Sequence, residues 1–170
     1  MTTPAPSHPA PSRPDLPAPP PAVNPETREF WEATAHGRLL LKRCMDCGIV
    51  IWYPRVICPE CASLRTEWFE AAGRGRLYSY TVNHRGEGAY QGSPPFVLAY
   101  VELDEGPRLM TNVVGAAESE LAVGMPVELV FHETGDGFAL PRFRPLFPQG
   151  DTVPPHNARD PDSRPPGESH

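Results

Sequence analysis

The sequence has no cysteine outside one short stretch, no long apolar run and no excess of positive charge. No window of about eighteen apolar residues occurs, so nothing in the sequence predicts a membrane span. The chain has 15 Lys and Arg residues against 21 Asp and Glu, and within residues 38–150 the balance is 11 to 13. Because nonspecific binding to a phosphate backbone depends on clustered positive charge, this balance argues against nucleic acid as a partner.

The motifs of common catalytic sites are absent as well. The sequence contains no G-x-S-x-G elbow, no H-E-x-x-H pair and no G-x-x-x-x-G-K loop. The first residues are not a basic stretch followed by an apolar one, which argues against a secretory signal. We therefore expect a cytoplasmic protein with reduced thiols, and the missing motifs agree with a chain that is not catalytic on its own.

Proline is the residue in clear excess. Of the 24 prolines, nine precede Val23 and five follow Gly150. Both segments contain little apolar surface, so burial would not offset the entropy lost on ordering them. We predict disordered tails at residues 1–23 and 149–170. A proline-rich tail can also bind an aromatic groove, but the charges that usually flank such ligands are missing here.

The segment NPETREFWEATAHG predicts a short helix at residues 24–37. Asn24 is suited to the N-cap, and Gly37 to the position where the helix ends. Phe30 and Trp31 would lie on one side of this helix. Two interpretations are open at this point: the aromatic side packs on the chain's own domain, or it docks on a partner.

All four cysteines lie in the segment RCMDCGIVIWYPRVICPECAS, as two C-x-x-C pairs: Cys44 with Cys47, and Cys58 with Cys61. Each pair forms a turn that directs two thiolates to one centre, and the ten residues between the pairs suffice for a strand out and a strand back. Four thiolates favour a closed, structural Zn²⁺ site without an open position for substrate. An iron–sulfur cluster or a redox dithiol fits the pattern less well. We predict a rubredoxin-like zinc ribbon at residues 38–66.

After the ribbon the pattern changes to β-strands. Gly73 and Gly75 lie between strand-like runs and predict a bend or bulge. The clearest strand pairs are Phe96–Leu103 with Arg108–Val114, and Val127–Glu133 with Phe138–Phe143. About five strands within about 80 residues fit a small OB-fold barrel, which we place at residues 67–148. The predicted fold class is therefore mainly β.

Candidate ligand-binding residues lie outside the ribbon. His84 begins HRGEGAYQGSPP, a loop too long for a hairpin turn and hence either functional or a disordered linker. In this loop Arg85 offers a cation for a phosphate, and Tyr90 offers an aromatic face for a ligand or partner. Arg142 and Arg144 point the same way on a predicted strand and could face a phosphate, although such pairs more often form a solvated surface.

The order of these parts resembles one known family. The resemblance rests on EFWEATAHGRLLLKRCMDCG, YPRVICPECAS, GRGRLYSYTVNH, PPFVLAYVELDEGPRLMTNVVG, VGMPVELVF and LPRFRP. These segments run from Pro25 to about Pro145 and are similar to small zinc-ribbon-plus-OB-fold proteins that accompany thiolase-like enzymes, long catalogued as a domain of unknown function. In that family the condensing or cleaving residues belong to the partner.

The resemblance implies a non-catalytic accessory subunit of a thiolase, an acyltransferase or a retro-aldolase, in lipid or steroid metabolism. The expected partner is a thiolase-like subunit in a hetero-oligomer, with acyl-CoA as a shared ligand. Arg85, Tyr90 and Arg142 would then contact CoA or the partner. The alternative is a free-standing nucleic-acid-binding module, for which Tyr78 and Tyr80 would supply stacking rings. The sequence does not specify the partner's reaction, the acyl substrate or the stoichiometry.

Overall fold

The computed structural model describes residues 16–146, so most of both predicted disordered tails lies outside the described residues. The described part contains one α-helix, eight β-strands and two single 3-10 turns, at Gly88–Tyr90 and Glu118–Glu120. No helix in this part is long and apolar enough to cross a membrane. The elements are α1 (Arg28–Thr34), β1 (Leu40–Cys44), β2 (Val50–Ile51), β3 (Thr66–Glu70), β4 (Arg74–Asn83), β5 (Phe96–Leu103), β6 (Arg108–Val113), β7 (Pro126–Glu133) and β8 (Ala139–Pro145).

The first three strands form an antiparallel sheet with β1 at its centre. β1 pairs along its whole length with β3, from Leu40 opposite Glu70 to Cys44 opposite Thr66. The predicted return strand between the cysteine pairs is wrong, because residues 52–57 form no strand and β3 takes the second edge of β1 instead. The predicted boundary between ribbon and barrel, at residues 66 and 67, falls within β3.

The remaining five strands close into a barrel in the order β4-β5-β6-β8-β7, and β7 pairs back to β4. All neighbours are antiparallel except β6 and β8, which are parallel where Val113 lies opposite Phe143. Closure leaves no free edge in this sheet, and therefore no edge strand that could pair with another chain. The prediction of a mainly β fold with a five-stranded barrel is confirmed.

β4 bends around the barrel, pairing with β7 at its start and with β5 along the rest. Gly75 is required at this bend, because a Cβ there would collide with the carbonyl oxygen of Glu102 on β5. The register shift between β4 and β5 lies further along, between Leu77 and Ser79. The glycines thus make the bend, while the bulge is at Tyr78.

The helix packs on its own chain. Phe30 and Trp31 are buried in one apolar core that includes ribbon residues and barrel residues such as Phe143. The backbone N–H of Ala139 on β8 donates to the Thr34 hydroxyl at 3.1 Å, which fixes the end of α1 to the barrel. The interpretation of α1 as an arm whose aromatic side docks on a partner is therefore wrong, since that side is already covered.

The helix also begins later than predicted. The side chain of Asn24 accepts a hydrogen bond from the Thr27 N–H at 3.1 Å, and Thr27 occupies the N-cap position of α1. Asn24 therefore forms a turn ahead of the helix, and is not its N-cap. Gly37 follows the helix with a φ of 68°, and its N–H donates to the Thr34 carbonyl, as expected for a glycine that ends a helix.

Residues 16–23 lie against the barrel and the helix. The side chain of Leu16 is buried, and Val23 packs against the main core. Over these residues the structure differs from the prediction of a disordered tail. The reason is that Arg142, which holds Leu16 and Pro17, lies more than 120 residues further along the chain, where local composition gives no indication of it.

Candidate functional site

Two tight turns bring the four cysteines together at one end of the ribbon sheet. All four Sγ atoms lie within 4.8 Å of one another. The Sγ of Cys44 is 3.5 Å from that of Cys61, and the Sγ of Cys47 is 3.6 Å from that of Cys58. A tetrahedral site with Zn–S bonds of about 2.3 Å places the sulfurs about 3.8 Å apart. The cluster therefore fits a zinc ion with four protein ligands and no open position.

The two cysteine turns share one backbone design. In each, the residue after the second cysteine donates its N–H to the carbonyl of the first: Gly48 to Cys44 at 2.9 Å, and Ala62 to Cys58 at 3.0 Å. Both donors have left-handed backbone, with φ of 78° at Gly48 and 59° at Ala62. Glycine adopts this region at no steric cost, whereas alanine is strained there. The left-handed residue is thus the common feature of both turns.

The pKa values of two of the thiols shift in opposite directions. The backbone N–H of Cys47 favours the thiolate of Cys44 and lowers the pKa of that group from 9.0 to about 6. The N–H of Ser63 acts in the same way on Cys61, but the neighbouring thiols outweigh it and raise the pKa of Cys61 to about 12. Four thiolates this close repel one another unless a cation lies between them. The donor set is therefore suited to a divalent metal ion.

The loop between β4 and β5 separates two of the predicted ligand contacts. His84 and Arg85 are exposed and line a recess formed by the loop itself. Tyr90 turns inward, with its ring against Phe96 at 5.0 Å between centroids and its hydroxyl 3.4 Å from the guanidinium of Arg142. The loop carries a 3-10 turn and inward contacts, in contrast to the disordered-linker interpretation.

Arg142 is only 1% exposed, because Leu16 and Pro17 cover it. These two residues begin residues 16–23, which we call the N-terminal segment. Its guanidinium donates to the Leu16 carbonyl at 2.9 Å and to the Pro17 carbonyl, and lies 2.9 Å from Nδ1 of His132. Burial lowers the pKa of Arg142. Arg144 is instead exposed and paired with a glutamate of β7. In this conformation Arg142 is closed to an outside ligand and Arg144 is exposed, so a phosphate-facing role for the pair stays a prediction.

Apolar side chains are exposed on one outer face of the barrel, which we call the barrel patch: Tyr78, Tyr100 and Met110. Tyr100 lies directly opposite Met110 across β5 and β6, and these residues are 46% and 58% exposed. The guanidinium of Arg108 lies 3.5 Å from the centroid of the Tyr78 ring. The Tyr80 hydroxyl donates to a backbone carbonyl at 3.1 Å, so Tyr78 and Tyr80 do not form an open stacking pair.

A four-cysteine ribbon followed by a closed five-stranded barrel defines a zinc-ribbon-plus-OB-fold protein. Residues 31–67 match the family described as "ChsH2, rubredoxin-like zinc ribbon domain", and residues 68–132 match "ChsH2, C-terminal OB-fold domain". A chain of the solved Ltp2-ChsH2(DUF35) aldolase is 40% identical, with a TM-score of 0.67 over 74% of this chain and 98% of that chain. The chain belongs to the DUF35 family of zinc-ribbon and OB-fold proteins.

Two curated relatives have names that describe subunits of acyl-CoA enzymes. The probable enoyl-CoA hydratase alpha subunit of Thermomonospora curvata is 42% identical over 132 residues, which make up 77% of this chain and 41% of that protein. The benzoylsuccinyl-CoA thiolase subunit BbsA of Thauera aromatica is 32% identical over 106 residues, 56% of this chain and 72% of that protein. The chain thus spans less than half the length of the Thermomonospora relative.

Proposed function

We propose that this chain is a non-catalytic accessory subunit of a thiolase-like acyl-CoA enzyme. The observation that carries the proposal is the barrel patch. On a barrel without free strand edges, Tyr100 and Met110 form exposed apolar surface of the kind that a partner subunit covers. Family membership and the names of the two relatives support the same role. In this role the chain shapes the complex, and the partner supplies the reacting groups.

Zinc has a structural role in this proposal. Cys44, Cys47, Cys58 and Cys61 hold Zn²⁺ and thereby fix the two cysteine turns against each other. A site closed by four thiolates contributes folding free energy and does not polarise a substrate. Thiolate ligands also require a reducing compartment, which fits the predicted cytoplasmic location.

Arg85 is the residue that we assign to a phosphate of acyl-CoA. It is exposed in a recess of the β4–β5 loop, and guanidinium groups bind phosphate oxygens through paired N–H donors. Of the other two predicted contacts, Arg142 lies beneath Leu16 and Pro17 and would reach CoA only if these residues moved, and Tyr90 turns inward with its hydroxyl against Arg142. The acyl group itself would lie mostly in the partner.

The first test is to tag the chain, purify it from its own cells at moderate salt and identify what accompanies it. A stoichiometric thiolase-like subunit is the expected result. Recovery of the chain alone, or together with nucleic acid, would contradict the proposal and favour the binding-module alternative.

The face of contact is tested with two matched variants. Met110→Lys places a charge in the barrel patch, and Leu64→Lys makes the same change at an exposed apolar residue of the ribbon. We expect the partner to be lost with Met110→Lys and retained with Leu64→Lys, because a buried, unpaired charge at an interface is costly. The reverse pattern would assign the contact to the ribbon and contradict the role of the barrel patch.

A further inference from the structure

The guanidinium of Arg142 is buried, and no carboxylate of residues 16–146 pairs with it. Its hydrogen-bond partners are the carbonyls of Leu16 and Pro17, the ring of His132 and the hydroxyl of Tyr90. Its Nε is also buried and has no hydrogen-bond partner within the described part of the chain. A buried cation is costly unless a negative charge accompanies it, and guanidinium groups prefer two-oxygen anions. The site is therefore suited to an anion, and neutral carbonyls fill it here.

Leu16 also lines an apolar cavity beside Arg142. The cavity has a volume of about 340 Å³, and His132 belongs both to its wall and to the surroundings of Arg142. Leu16 is 8% exposed. The cavity is also lined by the apolar residues Val82, Phe96, Val97 and Val113, and by one acidic residue, Glu118. Leu16 thus places its carbonyl oxygen on the cation and also lines the cavity, so an oxygen acceptor and an aliphatic residue meet here, as they would in a small aliphatic carboxylate.

The segment that supplies Leu16 is held by few hydrogen bonds. Its sequence, LPAPPPAV at residues 16–23, includes four prolines, which have no N–H to donate, and none of these residues belongs to a helix or strand. At Arg142 it is held by two carbonyl acceptors and by the side chain of Leu16. A segment without secondary structure and with so few hydrogen bonds can open locally at less than the global free energy of unfolding.

We propose that Arg142, Tyr90 and His132 form a binding site for a small aliphatic carboxylate, and that Leu16 and Pro17 occupy this site in the free chain. The two carboxylate oxygens take the places of the two carbonyl oxygens on Nη1 and Nη2 of Arg142. The aliphatic chain enters the cavity that Leu16 lines. The N-terminal segment is then a competitor within the same chain, and its departure is part of binding. The inference concerns the chain alone and does not rest on the accessory-subunit role.

The ligand used in the test is 4-methylpentanoate, which carries the leucine side chain on a carboxylate. Its uncharged counterpart is 4-methylpentanamide. Both are titrated into the ¹⁵N-labelled full-length chain and followed by NMR. We expect the carboxylate to bind at least about tenfold more tightly than the amide, because only the carboxylate neutralises the guanidinium. At saturation the amide signals of Leu16 and Ala18 should move to the positions of an unstructured chain.

The competition is tested with Leu16→Gly. This change removes the apolar anchor of the segment and should tighten 4-methylpentanoate binding about tenfold, because more of the chain has the site open. Adding Arg142→Lys should abolish that binding, whereas the control Arg144→Lys, two residues along β8, should leave it within twofold.

Equal affinities for the carboxylate and the amide would overturn the proposal, as would a Leu16→Gly chain that binds no better than the wild type. The comparison of the two ligands uses the unmodified chain. Its outcome therefore decides the matter even if Arg142→Lys prevents folding.

Discussion

The two cysteine turns allow a paired test of how the backbone supports the metal site. Gly48 and Ala62 occupy equivalent positions with φ of 78° and 59°, and both N–H groups donate to the carbonyl of the first cysteine. A Cβ added at Gly48 meets no atom within 4 Å, so the change to alanine alters conformational strain without adding a contact. The reciprocal changes, Gly48→Ala and Ala62→Gly, should therefore shift stability in opposite directions.

The magnitude follows from two opposing effects. A left-handed backbone costs a residue with a Cβ about 1–2 kcal/mol relative to glycine. Alanine recovers about 0.4–1 kcal/mol of this, because it restricts the unfolded chain more than glycine does. We therefore expect Gly48→Ala to lower the free energy of unfolding by about 0.5–1 kcal/mol, and Ala62→Gly to raise it by a similar amount. The double variant should lie close to the wild type.

The assay is urea unfolding of the zinc-loaded chain, followed by tryptophan fluorescence and circular dichroism. Cobalt substitution provides the control, because the thiolate-to-cobalt absorption reports whether four cysteines still bind the metal in each variant. Destabilisation by both changes, or stabilisation by Gly48→Ala, would refute the reasoning. Either result would mean that the side chains at positions 48 and 62, and not the left-handed backbone there, determine the stability of the two turns.

Three further outcomes follow from the described contacts. Phe30→Ala should lower the free energy of unfolding in urea by about 3–5 kcal/mol, because the ring is fully buried among other aromatics. A loss below about 1 kcal/mol would contradict the packing of α1. Removing zinc with a chelator should unfold the ribbon, as seen by tryptophan fluorescence, and zinc but not magnesium should restore it; unchanged spectra would contradict a structural metal. Arg85→Gln should weaken CoA binding by the purified complex roughly fivefold in calorimetry, as expected for one exposed charged contact. The control Arg55→Gln, on the ribbon, should leave CoA binding unchanged. Equal effects of the two changes would refute the assignment of Arg85.

Features with a local cause could be predicted well. The spacing of the two C-x-x-C pairs predicts convergence on one centre, since each turn is short enough to direct both sulfurs the same way. The alternation in Phe96–Leu103 predicts a strand with the bounds that the structure shows, because period-two burial is a property of the strand itself. The helix start was harder, since Asn24 is suited both to an N-cap and to a preceding turn, and its side-chain hydrogen bond from the Thr27 N–H belongs to that turn.

Features that depend on distant parts of the chain were decided by the tertiary structure alone. Arg142 looks like a surface arginine in the sequence, yet Leu16, more than 120 residues earlier, covers it. Ala62 carries no sequence signal of a left-handed turn, because that conformation is imposed by the convergence of Cys58 and Cys61 on the metal site. The sequence by itself thus determined the ligands and the strands, whose patterns are local. The burial of Arg142 was decided by the tertiary structure. Whether its guanidinium is exposed or covered by Leu16 depends on which segments the closed barrel brings together.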